Sequence, residues 1–250
     1  MRSCNTAGFF IFIGMIITDP SKAPRERLAE IVKGYFLNGG FTYKKSLLEF
    51  SKAEKNRTII VRLFFFKTIN LVKGSLSWGI VFPQLEKAWK KIALHDQRKG
   101  YTVTLWTDLL NYQPLRKTNI PISIKMFNEE TFKYDDISLN NAGDWIITNY
   151  ENYIAPYFEF YSTLSNLEKE MNALPLNHHS ELFYGGRQIA FGLILRKKFI
   201  PENFVELANQ YQQHILNGEE DEDFKRTMLI YLERTRDFLK DNDINKLLPG

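Results

Sequence analysis

Few side chains of this sequence are of types and at spacings that suit chemistry. Of the four histidines, only His178-His179 with Glu181 form a cluster of metal-ligand composition. Neighbouring histidines on one loop rarely reach the same ion, and spacing places no third ligand, so an exposed polar loop is expected and no metal site. His214 follows Tyr211 on the apolar side of a helical stretch, which suggests a hydrogen-bonded histidine at the core edge. His95 closes another helix, where a positive imidazole complements the helix dipole. The acidic doublets Glu129-Glu130 and Asp135-Asp136 could do acid–base or metal work, but solvated loop charge is the default. The run Glu219 to Asp223 reads as the charged start of a helix.

Tyr184-Gly185-Gly186-Arg187 is the most suggestive short segment. Two glycines before a helix N-terminus can bring backbone N–H groups to an anion, and Arg187 could add charge; a plain turn with Gly for positive φ competes with that reading. A second candidate is a basic stretch with Lys44, Lys45, Lys52, Arg57 and Arg62, also Lys55 and Lys67, interleaved with Phe41, Tyr43, Phe50 and Phe64. Basic sheets with exposed aromatics bind single-stranded nucleic acid, although these aromatics are more simply core. The P-loop, G-x-G-x-x-G and G-x-S-x-G motifs are all absent. The single cysteine, Cys4, excludes an internal disulfide and any cysteine-based zinc site.

The elements that must hold these residues follow from periodicity. Leu28, Ile31, Val32, Tyr35 and Phe36 make one apolar stripe, so a helix spans about 24–37, capped by Asp19 or Ser21 and ended by Asn38-Gly39-Gly40. A β meander follows, with strands near Leu48–Lys52, Ile59–Phe66 and Leu76–Phe82 and turns at Lys55-Asn56 and Lys73-Gly74. Pro83 opens a helix carrying Leu85, Ala88, Trp89 and Ile92. Strands near Tyr101–Leu109 and Ile122–Met126 close the sheet around a loop at 111–121. From Asp144 the patterns are helical: one helix kinked or divided by Pro156, a buried helix at Arg187–Phe199, a Pro201-led helix and a last one near 221–239. The fold class is therefore α+β, an antiparallel meander sheet with flanking helices followed by a helical C-terminal half. Residues 19–128 form the sheet region and 141–240 the helical region, separate or as one continuous domain.

The 250 residues carry 44% hydrophobic, 25% charged and 14% aromatic residues, with net charge +4, which excludes disordered, fibrous and disulfide-scaffold classes. The charge is uneven: residues 41–100 hold 13 Lys/Arg against 4 Asp/Glu, and residues 101–250 hold 15 against 22. Mutual attraction of the two halves is the simplest expectation, an anionic partner the other. Residues Ala7–Ile17 are apolar but too short for a membrane helix. They read as a signal segment, as an extension upstream of a natural start at Met15, or as a buried strand; residues 1–14 are an uncertain extension. The absence of cysteine pairs fits a cytoplasmic location, with export the alternative if residues 1–23 act as a signal.

One stretch has a familiar order. Between Arg27 and Lys91 a helix leads to Gly39-Gly40-Phe41 with Lys44-Lys45, then to a charged hairpin, a Val/Phe-rich strand, Ser77-Trp78-Gly79-Ile80 and a helix. This resembles the N-terminal half of bacterial families known only as domains of unknown function, some of them in toxin–immunity neighbourhoods. The resemblance implies an antiparallel sheet and a binding role, and it carries no catalytic residue to transfer. The expected function is protein binding, with no cofactor. An enzyme of unrecognised type, using Asp108, His178, Glu181 and Arg187 between the sheet and the helical half, is the first alternative. Nucleic-acid binding through the basic sheet is the second.

Overall fold

The computed structural model describes residues 15–68, 71–94, 103–109, 123–173 and 185–248. The fold is α+β, as the periodicities require. Helix α1 (Pro24–Asn38) precedes strands β1 (Thr42–Lys44), β2 (Glu49–Ala53), β3 (Thr58–Thr68) and β4 (Leu71–Val81). Helix α2 (Pro83–Ile92) and the short strands β5 (Leu105–Asp108) and β6 (Ile124–Lys125) come next. All strands are antiparallel in the order β1-β2-β3-β4-β5, and β6 also pairs with β4. The C-terminal half contains α3 (Asp136–Asn149), a π-helical turn (Tyr150–Ile154), α4 (Ala155–Phe160), α5 (Leu164–Asn172), α6 (Gly186–Phe199), α7 (Phe204–Asn217), α8 (Glu222–Asp241) and α9 (Ile244–Leu247).

Alternation along the strands creates two unlike sheet faces. Phe50, Val61, Leu63, Leu76, Trp78, Ile80 and Leu105 share one face and are buried. Helices cover this face: Phe36 of α1 stacks on Phe50 at 4.5 Å, and Tyr157 of α4 meets Trp78 edge-on at 6.0 Å. Helix α3 crosses α1 closely because Gly143 has no side chain; a Cβ there would lie 2.6 Å from Ile31 Cγ2. The other face carries the polar register row Lys44, Glu49, Arg62, Ser77 and Asp108.

In the C-terminal half, α6 is the buried centre. Ile189 to Leu195 are fully covered, including Phe191 against Trp89 of α2. The expected buried helix is observed: packing surrounds it on all sides, where a strand would need ladder partners. One contiguous apolar core joins sheet and helices. Arg57 donates to the carbonyl of Phe158, and Arg234 to that of Ile92. Arg187–Glu86 is an ion pair between segments 41–100 and 101–250, with its cation from the acidic half.

Several local expectations are corrected. Ala23 occupies the N-cap of α1 without a side-chain bond; Asp19 instead accepts from Ser21 N and Oγ, one turn earlier. Lys73-Gly74 lie within β4, not in a turn, since the register pairs Thr68 with Leu71. Helix α3 starts eight residues earlier than Asp144, because Asp135 caps it by accepting from Ser138 N. Asp136 holds Arg27 and Thr18, so this doublet is structural. Pro156 does not divide its helix. The π-turn widens the coil ahead of a residue that has no N–H and whose ring would strike the carbonyl four residues back. The real break falls at Tyr161–Thr163, where Thr163 caps α5.

Candidate functional site

Asp108 is half-buried on β5, opposite Ser77 on the polar sheet face. His178, Glu181 and His95 lie outside the described residues. No group of metal-ligating side chains forms among the described residues. His214 is exposed on α7, near Gln210 and Asn217, and not at the core edge, because its helix turns Tyr211 and Ile215 inward instead.

Gly185, Gly186 and Arg187 serve packing. Gly185 has φ of +60°, and a Cβ on Gly186 would lie 2.2 Å from the Tyr231 ring. Arg187 reaches Glu86 with Nη2 at 2.5 Å from both carboxylate oxygens, and its guanidinium lies over Trp89 and Phe191. Glu86 is buried and also accepts from Thr104 Oγ1. The charge that could have met an anion is therefore neutralised by a carboxylate inside the fold.

The basic stretch is divided as well. Arg57 is buried and pairs with the exposed Glu54, and Arg62 bridges Glu49 at 2.6 Å while lying over Trp106. Phe41 and Phe50 are core. Lys44 and Lys45 stay exposed, and Lys52 lies half-buried beside Phe41.

Lys52 leads to the feature that sequence reasoning missed. Where α1 ends, a cleft of about 560 Å³ opens between that helix, the β1–β2 hairpin and the π-turn. Ile31, Tyr35, Phe36, Phe41 and Tyr150 form its walls, Gly34 and Gly39 its backbone-lined parts, and Ile16, Asn38 and Lys52 its mouth. The rings brace one another: Phe36 meets Phe41 at 5.4 Å and Tyr150 at 5.1 Å, all edge-on, and Tyr35 meets Tyr150 at 5.9 Å. Such edge-to-face contacts fix ring orientation beyond simple burial. Gly40, at φ +82°, turns the chain so that Phe41 folds back beneath α1.

The electrostatics are simple. Burial pushes the Tyr150 phenol up to about 12, and burial with a hydrogen bond to Glu151 pushes Tyr35 up further. Both phenols stay protonated at neutral pH, and Tyr35 donates to Glu151 Oε1 at 2.9 Å. Among the described residues the lining contains no carboxylate, histidine or cysteine. Lys52 brings a charge to it, with Nζ 5.8 Å from the centre of the Phe41 ring. Among the described residues no carboxylate pairs with it. The arrangement can hold apolar groups and attract a negative one.

Gly34 is the informative lining residue. It sits exposed inside α1, where glycine costs helix stability, and a Cβ there would meet nothing within 4 Å apart from its chain neighbours. Packing does not require the glycine, and it lines the cleft beside Tyr35 and Phe36.

Compared with known proteins, the chain matches no family model, no curated protein and no solved structure.

Proposed function

We propose that this is a binding protein whose α1 cleft receives large apolar side chains of a partner protein. The observation that carries the reading is the cleft of about 560 Å³, walled by mutually packed Tyr35, Phe36, Phe41 and Tyr150 and open at the exposed Gly34. That volume lies in the range that accepts compact ligands, between roughly 300 and 1,000 Å³, and holds a pair of large side chains. Pockets walled by braced aromatics are where interface anchors seat. Lys52 at the mouth favours an acidic residue next to the anchors.

The test is selection of short peptides from a random display library on the full-length protein. Selected sequences are expected to share two large apolar residues with a nearby Asp or Glu. They are expected to lose binding when Gly34→Leu fills the cleft and to weaken severalfold with Lys52→Met. Peptides that bind both variants as well as wild type would refute the reading.

A further inference from the structure

The turn between β6 and α3 presents an aromatic ring that its own backbone disfavours. Asn128 Oδ1 accepts from Glu130 N at 2.9 Å and from Thr131 N at 3.1 Å. Phe132 N donates to Asn128 O, and Asn128 N to Lys133 O, each at 2.8 Å. These bonds close the turn and leave Phe132 in the left-handed region at φ +53°. A bulky side chain is strained in that conformation, whereas Gly or Asn adopts it readily.

The core does not call for this ring either. Phe132 is 64% exposed, although it stacks at 6.4 Å on Phe127. Phe127 is buried and meets Tyr134 edge-on at 6.2 Å, so the platform under the exposed ring is itself fixed. The turn thus holds a large apolar ring outward in one orientation, beside the exposed Glu129 and Glu130. A ring ordered in this way loses little freedom on docking, and aromatic side chains are frequent interface anchors.

We infer that the Phe132 turn of one copy of the chain docks in the α1 cleft of a second copy. The inference rests on the reading of that cleft as a binding site, and it names the occupant: a large apolar side chain with an acidic neighbour, which this turn supplies. Charge complementarity sets the orientation. Lys52 lines the cleft. Glu129 is engaged by Lys125 at 2.7 Å, and exposed Glu130 precedes the ring by two residues. The docked turn therefore faces Lys52 with its Glu130 side and turns Lys133 away. Ring and cleft are unlike surfaces, one ahead of α3 and the other where α1 ends. The contact either closes reciprocally as a two-fold pair or continues head to tail.

Sedimentation equilibrium of the full chain from about 1 to 100 µM tests the inference, and self-association of wild type is expected. Phe132→Asn removes the ring at a φ that Asn accepts, and Gly34→Leu fills the cleft. Each alone should weaken association about tenfold or more. One variant keeps the cleft and the other keeps the ring, so an equimolar mixture should form a one-to-one pair that cannot grow. Circular dichroism checks folding; should Gly34→Leu fail to fold, Lys52→Glu, which sets two carboxylates against each other at the mouth, takes its place. Wild type that stays monomeric to about 100 µM, association unchanged in either folded variant, or no pair in the mixture overturns the inference. Display-selected peptides that bind wild type and not Gly34→Leu, on a chain that does not self-associate, overturn this inference alone and leave the reading of the cleft in place.

Discussion

Replacing Gly34 by alanine should stabilise this protein. In the interior of a helix, glycine is about 0.8–1.0 kcal/mol less favourable than alanine, because alanine restricts the unfolded chain and does not expose the backbone. That gain is normally offset where the new Cβ strikes a neighbour. At Gly34 nothing lies within 4 Å of the Cβ position. The full gain should appear, about 1 kcal/mol, which for a domain of this size raises Tm by about 2–4 °C. With a urea slope of about 2–3 kcal/mol/M, the midpoint should rise by about 0.3–0.5 M at unchanged slope. Leucine has nearly the helix propensity of alanine, so Gly34→Leu should keep most of the gain while filling the cleft. Equilibrium urea unfolding followed by circular dichroism measures both. An unchanged or lower midpoint for Gly34→Ala would mean that the glycine serves packing, and the argument for an open cleft would lose its basis.

Other positions respond in the opposite direction. Gly186→Ala drives a methyl into the Tyr231 ring at 2.2 Å and should cost about 2–3 kcal/mol in urea unfolding, as overpacking does. Glu86→Ala leaves Arg187 and Thr104 without their shared acceptor; a loss of about 2–3 kcal/mol is expected, discounted because Arg187 keeps some solvent contact, and Glu86→Gln should lose less. Asp136 is held below its ordinary value by hydrogen bonds from Thr18, then by Arg27. A carboxyl depressed in the folded state adds stability above its unfolded value near 4 and loses it as pH falls through the folded one. Unfolding midpoints measured from pH 6 down to pH 2 should therefore fall less steeply in Asp136→Asn than in wild type.

Elements with strong local signals were legible before the structure. The stripe Leu28–Phe36 and the alternation Leu76–Phe82 each have one apolar face to bury, and α1 and β4 bury those faces. Asp135 reads as loop charge by position, yet it is a local cap that accepts from Ser138 N. Lys73-Gly74 read as a turn, yet tertiary pairing with β6 holds both in a strand. In the basic stretch the expectation that the aromatics are core holds for Phe41 and Phe50, while Arg57 and Arg62 turn to the acids Glu54 and Glu49, which the sequence alone does not pair with them. The cleft was not legible, because Gly34, Lys52 and Tyr150 are far apart in sequence and only the crossing of α1 with the π-turn region unites them. A signal did exist: a glycine within an otherwise helical stretch, which costs stability without a local reason.

The central claim is that the α1 cleft is where this protein binds. The most direct measurement is the affinity of one selected peptide for wild type, Gly34→Ala and Gly34→Leu, all at temperatures where each is folded. Near-equal affinity for wild type and Gly34→Ala, with a loss of about a hundredfold or more for Gly34→Leu, is the expected pattern. Equal affinity for all three would contradict the account.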